Sequence, residues 1–165
     1  MPHRVDIDDA YRRYGHSVLR RARRLLGSPE ESAEVLQDVF LDLVHKPEQF
    51  DGRSALSSFL YRATTNRCLN RLRDRNNRIR LLEQHVTPFV EELDTRPVAD
   101  LLAAQQLLAC LPEDEAQVAI YFYYDEMSHQ EIAEVMGCSR RHVGHLLENL
   151  SERLSRRERR HADRT

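Results

Sequence analysis

The residues of this chain best suited to chemistry are arginines set at helical spacing. Arg67, Arg71, Arg75 and Arg78 recur at i, i+4, i+8 and i+11, which puts them on one face of a helix. Arg62, Asn66, Arg73 and Asn77 form a second row beside the first. Much later, Ser139-Arg140-Arg141-His142 opens another helical stretch, followed by His145 and Asn149. Guanidinium groups neutralise phosphates, and Arg and Asn match the hydrogen-bonding edges of bases. Covalent chemistry has no comparable signature: there is no Gly-rich phosphate loop, no H-E-x-x-H and no G-x-S-x-G. The expected activity is binding of a polyanion, with no catalytic residue and no cofactor.

One cluster points elsewhere. Cys138, His142 and His145 fall at i, i+4 and i+7, a spacing at which thiol and imidazole ligands suit Zn²⁺ or Cu⁺. The same side is expected to face DNA, and no fourth ligand is evident. A turn cysteine with DNA-facing histidines is the ordinary reading, and no metal is assigned.

Helices must position these residues. The 165-residue chain has only five Gly, six Pro and no Trp, with 41% apolar and 32% charged residues. That is too few turn formers for an all-β chain and too much charge for one large core, so the fold expected is all-α, in small units. The net charge of −2 conceals blocks of +5 over residues 1–80, −11 over 81–134 and +4 over 135–165. Basic ends around an acidic middle suit a polyanion partner at the ends. The acidic middle reads most simply as a solubilising linker, the alternative being a segment that masks the basic faces. The opening MPHRVDIDDA has no apolar run and no stretch is apolar enough to span a membrane, so a cytoplasmic protein is expected. The three cysteines form no CxxC pair and read as reduced thiols, Cys68 and Cys110 within apolar periodicity and hence in the core.

Periodicity predicts a helix over 8–26 ended by Gly27, and another over 29–45 capped by Ser28 with Glu31 completing a capping box. The apolar set of that second helix includes Val35, Leu36, Val39, Phe40, Leu43 and Val44. A long helix to about Arg80, capped by Asp51 or Ser54, carries the arginine rows. Residues 81–100, with Pro88 and Pro97, read as an acidic linker. Further helices are expected over 98–110, 113–124, 128–136 and 139–159. Tyr121, Phe122, Tyr123 and Tyr124 read as core. In Ser128–Val143, Ser128 and Glu131 form a capping box, Gly137 suits a left-handed turn and Ser139 caps the next helix. Two helices across a three-residue turn match helix-turn-helix geometry. Opposite the buried Val143 row lie Arg141, His142, His145, Glu148 and Asn149, with Arg140 to one side.

Together the halves resemble an extracytoplasmic-function (ECF) sigma factor, a two-domain bacterial transcription initiation factor. Glu34-Val35-Leu36-Gln37-Asp38-Val39-Phe40-Leu41 resembles the family's core-binding helix. Phe50-Asp51-Gly52-Arg53-Ser54 resembles its F-x-G-x-S loop. Phe59-Leu60-Tyr61-Arg62 with Asn66 resembles a W-L stretch, with Phe in place of Trp and Asn70 where Asp is common. Leu111-Pro112-Glu113, Ser128-His129-Gln130-Glu131-Ile132-Ala133 and Gly137-Cys138-Ser139 resemble its LP…S-x-x-E-I-A…G-x-S frame.

The resemblance implies a region 2-like domain over 1–80, a linker over 81–100 and a region 4-like helix-turn-helix domain over 101–165 with a basic tail. It implies RNA polymerase core as partner through the β′ clamp helices and β flap, with Gln37, Asp38 and Leu41 as contacts. Single-stranded −10 DNA would meet Arg53, Ser54, Arg62, Asn66, Asn70, Arg71 and Arg73. Duplex −35 DNA would meet Ser139, Arg140, Arg141, His142, His145 and Asn149. An anti-sigma factor is a further partner of such proteins. Where the family often continues its recognition helix with Lys-Ser-Arg, this chain has Gly144-His145-Leu146 and then Glu148. A stand-alone helix-turn-helix regulator that binds duplex DNA without polymerase is the alternative.

Overall fold

The structure, a computed structural model, describes residues 5–50, 55–83 and 96–163. Among these there is no strand. The helices are α1 (Ile7–Leu26), α2 (Pro29–His45), α3 (Leu56–Glu83), α4 (Arg96–Cys110), α5 (Glu113–Ala119), α6 (His129–Met136) and α7 (Arg140–Ala162). A single 3₁₀ turn, Pro47–Gln49, follows α2, and a π turn, Ile120–Tyr124, continues α5. The chain divides into two compact units, Met1–Cys110 and Leu111–Thr165.

The first unit is a bundle whose ends follow from its caps. Asp6 starts α1 by accepting from the Asp9 N–H at 3.1 Å, and Gly27, at φ 68°, ends it. Ser28 caps α2 by accepting from the Glu31 N–H at 3.3 Å, with Pro29 at the first helical position. The reciprocal half of the expected box is not made, because the Glu31 carboxylate pairs instead with Arg75 of α3. Asp51 and Ser54, the expected caps of α3, lie outside the described residues. Val18, Ala22, Leu25, Val35, Val39, Leu43, Leu60, Leu69 and Leu72 fill the interior. Each such Leu or Val stabilises the fold by roughly 1.5–3 kcal/mol. Val44 departs from the expected core set: it is 48% exposed.

Polar groups tie the same helices. Arg21 of α1 is buried, donates from Nε to Thr65 Oγ1 at 2.9 Å and lies 3.7 Å from the Tyr61 ring centroid. Helix α4 joins this unit by packing on α3. Among its described residues the buried one is a glutamine. Gln105 Nε2 donates to the carbonyls of Leu25 at 2.8 Å and Leu26 at 3.1 Å, and Gln105 Oε1 accepts from Arg75 at 3.1 Å. The carbonyls at the end of α1 have no partner within their own helix, so a neighbouring helix supplies one. The first unit therefore runs ten residues beyond residue 100, where the sequence places the start of the second domain. Cys68 is buried as expected, but Cys110 is exposed at the end of α4, where its sulfur accepts from Asn76 Nδ2 at 3.8 Å.

The second unit packs α5, the π turn, α6 and α7 around Ala116, Val118, Ile120, Tyr121, Ile132, Val143, Leu146 and Leu150. The Ser128–Glu131 box is complete: Glu131 N–H donates to Ser128 Oγ at 3.3 Å and Ser128 N–H to Glu131 Oε2 at 2.8 Å. The Ser128 N–H, and its hydroxyl donating to the same Oε2 at 2.7 Å, hold the Glu131 carboxyl below its usual range. Gly137, at φ 66°, ends α6, and the Cys138 N–H reaches back to the Ala133 carbonyl at 3.0 Å. Ser139 Oγ accepts from the His142 N–H at 3.1 Å and starts α7. The aromatic run splits: Tyr121 is buried, whereas Tyr123 is 62% and Tyr124 43% exposed. One cause is the π turn, which takes an extra residue per turn and so rotates the later side chains about the helix axis.

Candidate nucleic-acid interface

The two arginine rows of α3 have different environments. The Arg67, Arg71 and Arg75 row is half-buried against α2. Arg67 pairs with Asp42, Arg71 with Glu34 and with Asp38 at 3.1 Å, and Arg75 with Glu31. These carboxylates recur on α2 at i, i+3, i+7 and i+11, the mirror of the basic row read antiparallel. The bonds to Asp38 and Glu34 raise the affinity of Arg71 for its proton against the opposing effect of burial. Arg71, expected at DNA, thus fastens α2 to α3. The acidic row was visible in the sequence and is the signal that could have placed it.

The other row is open. Phe59, Arg62, Asn66 and Asn70 line a cavity of about 340 Å³, with Gln49 and the Asp42–Arg67 pair as a wall. Phe59, on the cavity wall, meets Phe50 edge to face, centroids 5.4 Å apart. Among the described residues, Asn66 Oδ1 is buried and accepts no hydrogen bond, and Arg73 Nη2 is likewise buried and donates none. Arg73 Nη1 donates to Asn70 Oδ1 at 3.2 Å. A buried polar atom without a partner costs about 1–3 kcal/mol, and a ligand that satisfies it recovers that. The structure therefore brings Arg62, Asn66, Asn70 and Arg73 together along one face and leaves Arg71 out. Arg53 and Ser54 lie outside the described residues.

On α2, Gln37 and Leu41 are exposed and Asp38 is half-buried by its bond to Arg71. Val44 continues the Gln37 and Leu41 face at i+7, with Leu41 51% exposed. Leu41 and Val44 are thus open to solvent about one turn apart, beside Gln37. Sequence periodicity assigns Val44 to the core, and the structure exposes it instead.

In the second unit, Arg140, Arg141, His142, His145 and Asn149 are all exposed on α7 beside the capping Ser139. His145 Nδ1 lies 3.5 Å from Glu148 Oε2. A Cβ at Gly144 would meet nothing within 4 Å, so the outer surface of the helix is open there. Among the described residues no three His, Cys, Asp or Glu side chains form a metal-binding group, and Cys138, His142 and His145 are not brought together as one. No helix of the described residues is long and apolar enough to cross a membrane.

Comparison with known proteins matches both units. Residues 10–78 match the sigma-70 region 2 family and residues 101–154 the sigma-70 region 4 family. RNA polymerase sigma factor YlaC of Bacillus subtilis (strain 168) is 28% identical over 147 residues, 84% of either chain. The ECF sigma factor SigM of Mycobacterium tuberculosis (strain H37Rv) is 28% identical over 141 residues, 81% of this chain and 67% of SigM. Among solved structures, sigma factor RpoE of Bartonella quintana, in complex with the anti-sigma factor NepR, aligns with a TM-score of 0.52 at 17% identity, covering 92% of this chain and 95% of RpoE. CnrH, in complex with the cytosolic domain of CnrY, aligns at 0.51 and 22% identity, covering 90% of this chain and 84% of CnrH.

Proposed function

Because the chain belongs to the ECF sigma factors, non-enzymatic factors that bind RNA polymerase and recognise promoters, we propose how its residues divide that work. Region 2 function lies within 1–80 and region 4 function within 101–165, with the acidic segment 81–100 between them. Gln37, Asp38 and Leu41 meet the β′ clamp helices, joined by Val44; Arg71 orients Asp38 from behind. Arg62, Asn66, Asn70 and Arg73, with Arg53 and Ser54 from the adjoining loop, take the opened −10 strand. Ser139, Arg140, Arg141, His142, His145 and Asn149 meet the −35 duplex, and the same unit docks on the β flap. The site of action is the cytoplasm, with its polymerase. A protein regulator of the anti-sigma kind, as in the RpoE complex, is the expected brake.

The single observation that carries this reading is the unsatisfied Asn66 acceptor beside the cavity of about 340 Å³. Taking a base out of the stack costs a few kcal/mol, and a pocket with an unspent acceptor, an aromatic ring and a guanidinium offsets that cost. The stand-alone regulator alternative is not favoured, since both sigma families match in order along one chain. The test is run-off transcription with core polymerase on genomic promoter fragments. Asn66→Ala should keep core binding and lose open-complex formation on the fragments the native chain transcribes. Unchanged run-off from Asn66→Ala removes the −10 assignment.

A further inference from the structure

We propose that the C-terminal half of α7 is a second DNA contact, a phosphate-binding flank that supplies charge the reading end lacks. The inference rests on the region 4 reading of this unit. Between Arg140 and Asn149 the helix has two arginines, one glutamate and a glycine at an open position. That is little fixed positive charge for a helix meant to enter a groove between phosphate backbones.

The charge sits further along. Apolar anchoring of α7 ends at Leu150, 1% exposed, with Leu154 half-buried, yet the helix continues to Ala162. This half carries Arg153, Arg156, Arg157, Arg159 and Arg160. Two of them are committed. Arg153 makes a two-pronged bond to Glu115 of α5, Nε at 2.7 Å and Nη2 at 3.1 Å, and Glu115 is only 6% exposed. Arg156 donates to Glu152 at 3.1 Å. Arg157 and Arg160 line the same groove, of about 450 Å³, with Asn149. Among the described residues neither has a carboxylate within ion-pair distance. The Glu115 pair fixes the helix against its own unit, and of the three remaining arginines Arg157 and Arg160 line the groove while Arg159 does not.

Geometry and chemistry favour a phosphate backbone as the occupant. Asn149, Arg153, Arg156, Arg157 and Arg160 continue along the flank that begins at His142 and Asn149. At about 1.5 Å per residue, a 23-residue helix is roughly 34 Å long, against a major groove about 12 Å wide. A helix seated by its first turns overruns the groove, and the next thing it meets is phosphate. A protein partner would call for an apolar centre. No exposed large apolar side chain lies between Ser151 and Arg160.

The experiment titrates the full chain onto a fluorescent duplex of random sequence, from about 20 to about 300 mM KCl, since phosphate contacts ignore sequence. Arg157→Gln with Arg160→Gln keeps good helix formers at exposed positions, and circular dichroism checks the fold. Each lost phosphate contact removes about 0.9 from the salt slope, so the double variant should be shallower by about 1.8 and up to about 60-fold weaker at 0.1 M. Superimposable curves, or no native binding at the lowest salt, overturn the proposal. So does loss of core polymerase binding with an unchanged DNA slope, which would assign the flank to a protein. Arg141→Gln separates the two readings: if it weakens DNA binding while the double variant does not, region 4 stands and the flank falls.

Discussion

Two long helices carry most of the arginine of this protein, and they use it in opposite ways. In α3 the row Arg67, Arg71 and Arg75 is answered residue for residue by carboxylates of α2. In the far half of α7, among the described residues, Glu115 and Glu152 pair with Arg153 and Arg156, and no carboxylate lies within ion-pair distance of Arg157 or Arg160. The spacing is similar in both. What differs is whether a neighbouring helix presents an acidic row in register. A stripe of positive charge becomes a nucleic-acid surface only after its intramolecular partners are counted. By that test the row of α3 left open, and proposed above for DNA, is the modest one of Arg62, Asn66, Asn70 and Arg73.

The comparison can be broken most forcefully through the cores beneath the two helices. Leu69→Ala under α3 and Leu150→Ala under α7 each remove a fully buried side chain and should cost about 2–5 kcal/mol. Hydrogen exchange should quicken through α1–α3 in the first and through α5–α7 in the second; one pattern for both would mean a single cooperative core.

Next in size is Gln105→Ala, which strands the Leu25 carbonyl, leaves that of Leu26 only the 3.5 Å bond from Arg75 Nη2, and should cost about 1–3 kcal/mol. Exchange at α4 reads it out, and unchanged protection would show that α4 is held by something else.

Titration gives a third contrast. Burial pushes the Cys68 thiol from 9.0 up to about 12, against the lowering pull of Arg21 and Arg71. The unfolded chain gives up this proton first, so above about pH 9 stability should fall by about 1.4 kcal/mol per pH unit until about pH 12. Urea midpoints of the native chain and Cys68→Ala should diverge with that slope; parallel curves count against it. The exposed Cys110 should react with iodoacetamide well before Cys68.

Smaller still, Arg71→Gln should lower stability by about 1 kcal/mol or less, since the pair is partly open to solvent. Its effect on promoter opening should be no greater than its effect on core binding. A selective loss of opening would return Arg71 to the DNA face. Last, Gly144→Ala should raise the stability of the second unit by about 0.8 kcal/mol, because nothing there needs the missing Cβ. A thermal midpoint that rises while promoter binding falls would identify Gly144 as a place of close backbone approach.

Most of the helices were legible because their punctuation is local. Gly27, Ser28-Pro29, Pro112, Ser128, Gly137 and Ser139 mark ends that one segment of sequence decides by itself. The site was less so. Whether Arg71 faces DNA or α2 depends on a helix more than thirty positions away. Glu31 completes a box in isolation but pairs with Arg75 when α3 is present. Tyr123 and Tyr124 alternate as core residues only if α5 keeps its pitch, and the π turn breaks it. Helical spacing and the resemblance both point to Asn66; that its amide oxygen is buried with no partner among the described residues is a property of three dimensions.

The glutamine seated against the end of α1 bears on how the chain should be divided for separate study. A fragment cut near position 100, where the linker composition and the region 4 match both invite a boundary, would deprive the amino-terminal half of its plug and leave a leucine-rich helix dangling from the other. Cutting between Cys110 and Leu111 keeps the plug in its socket.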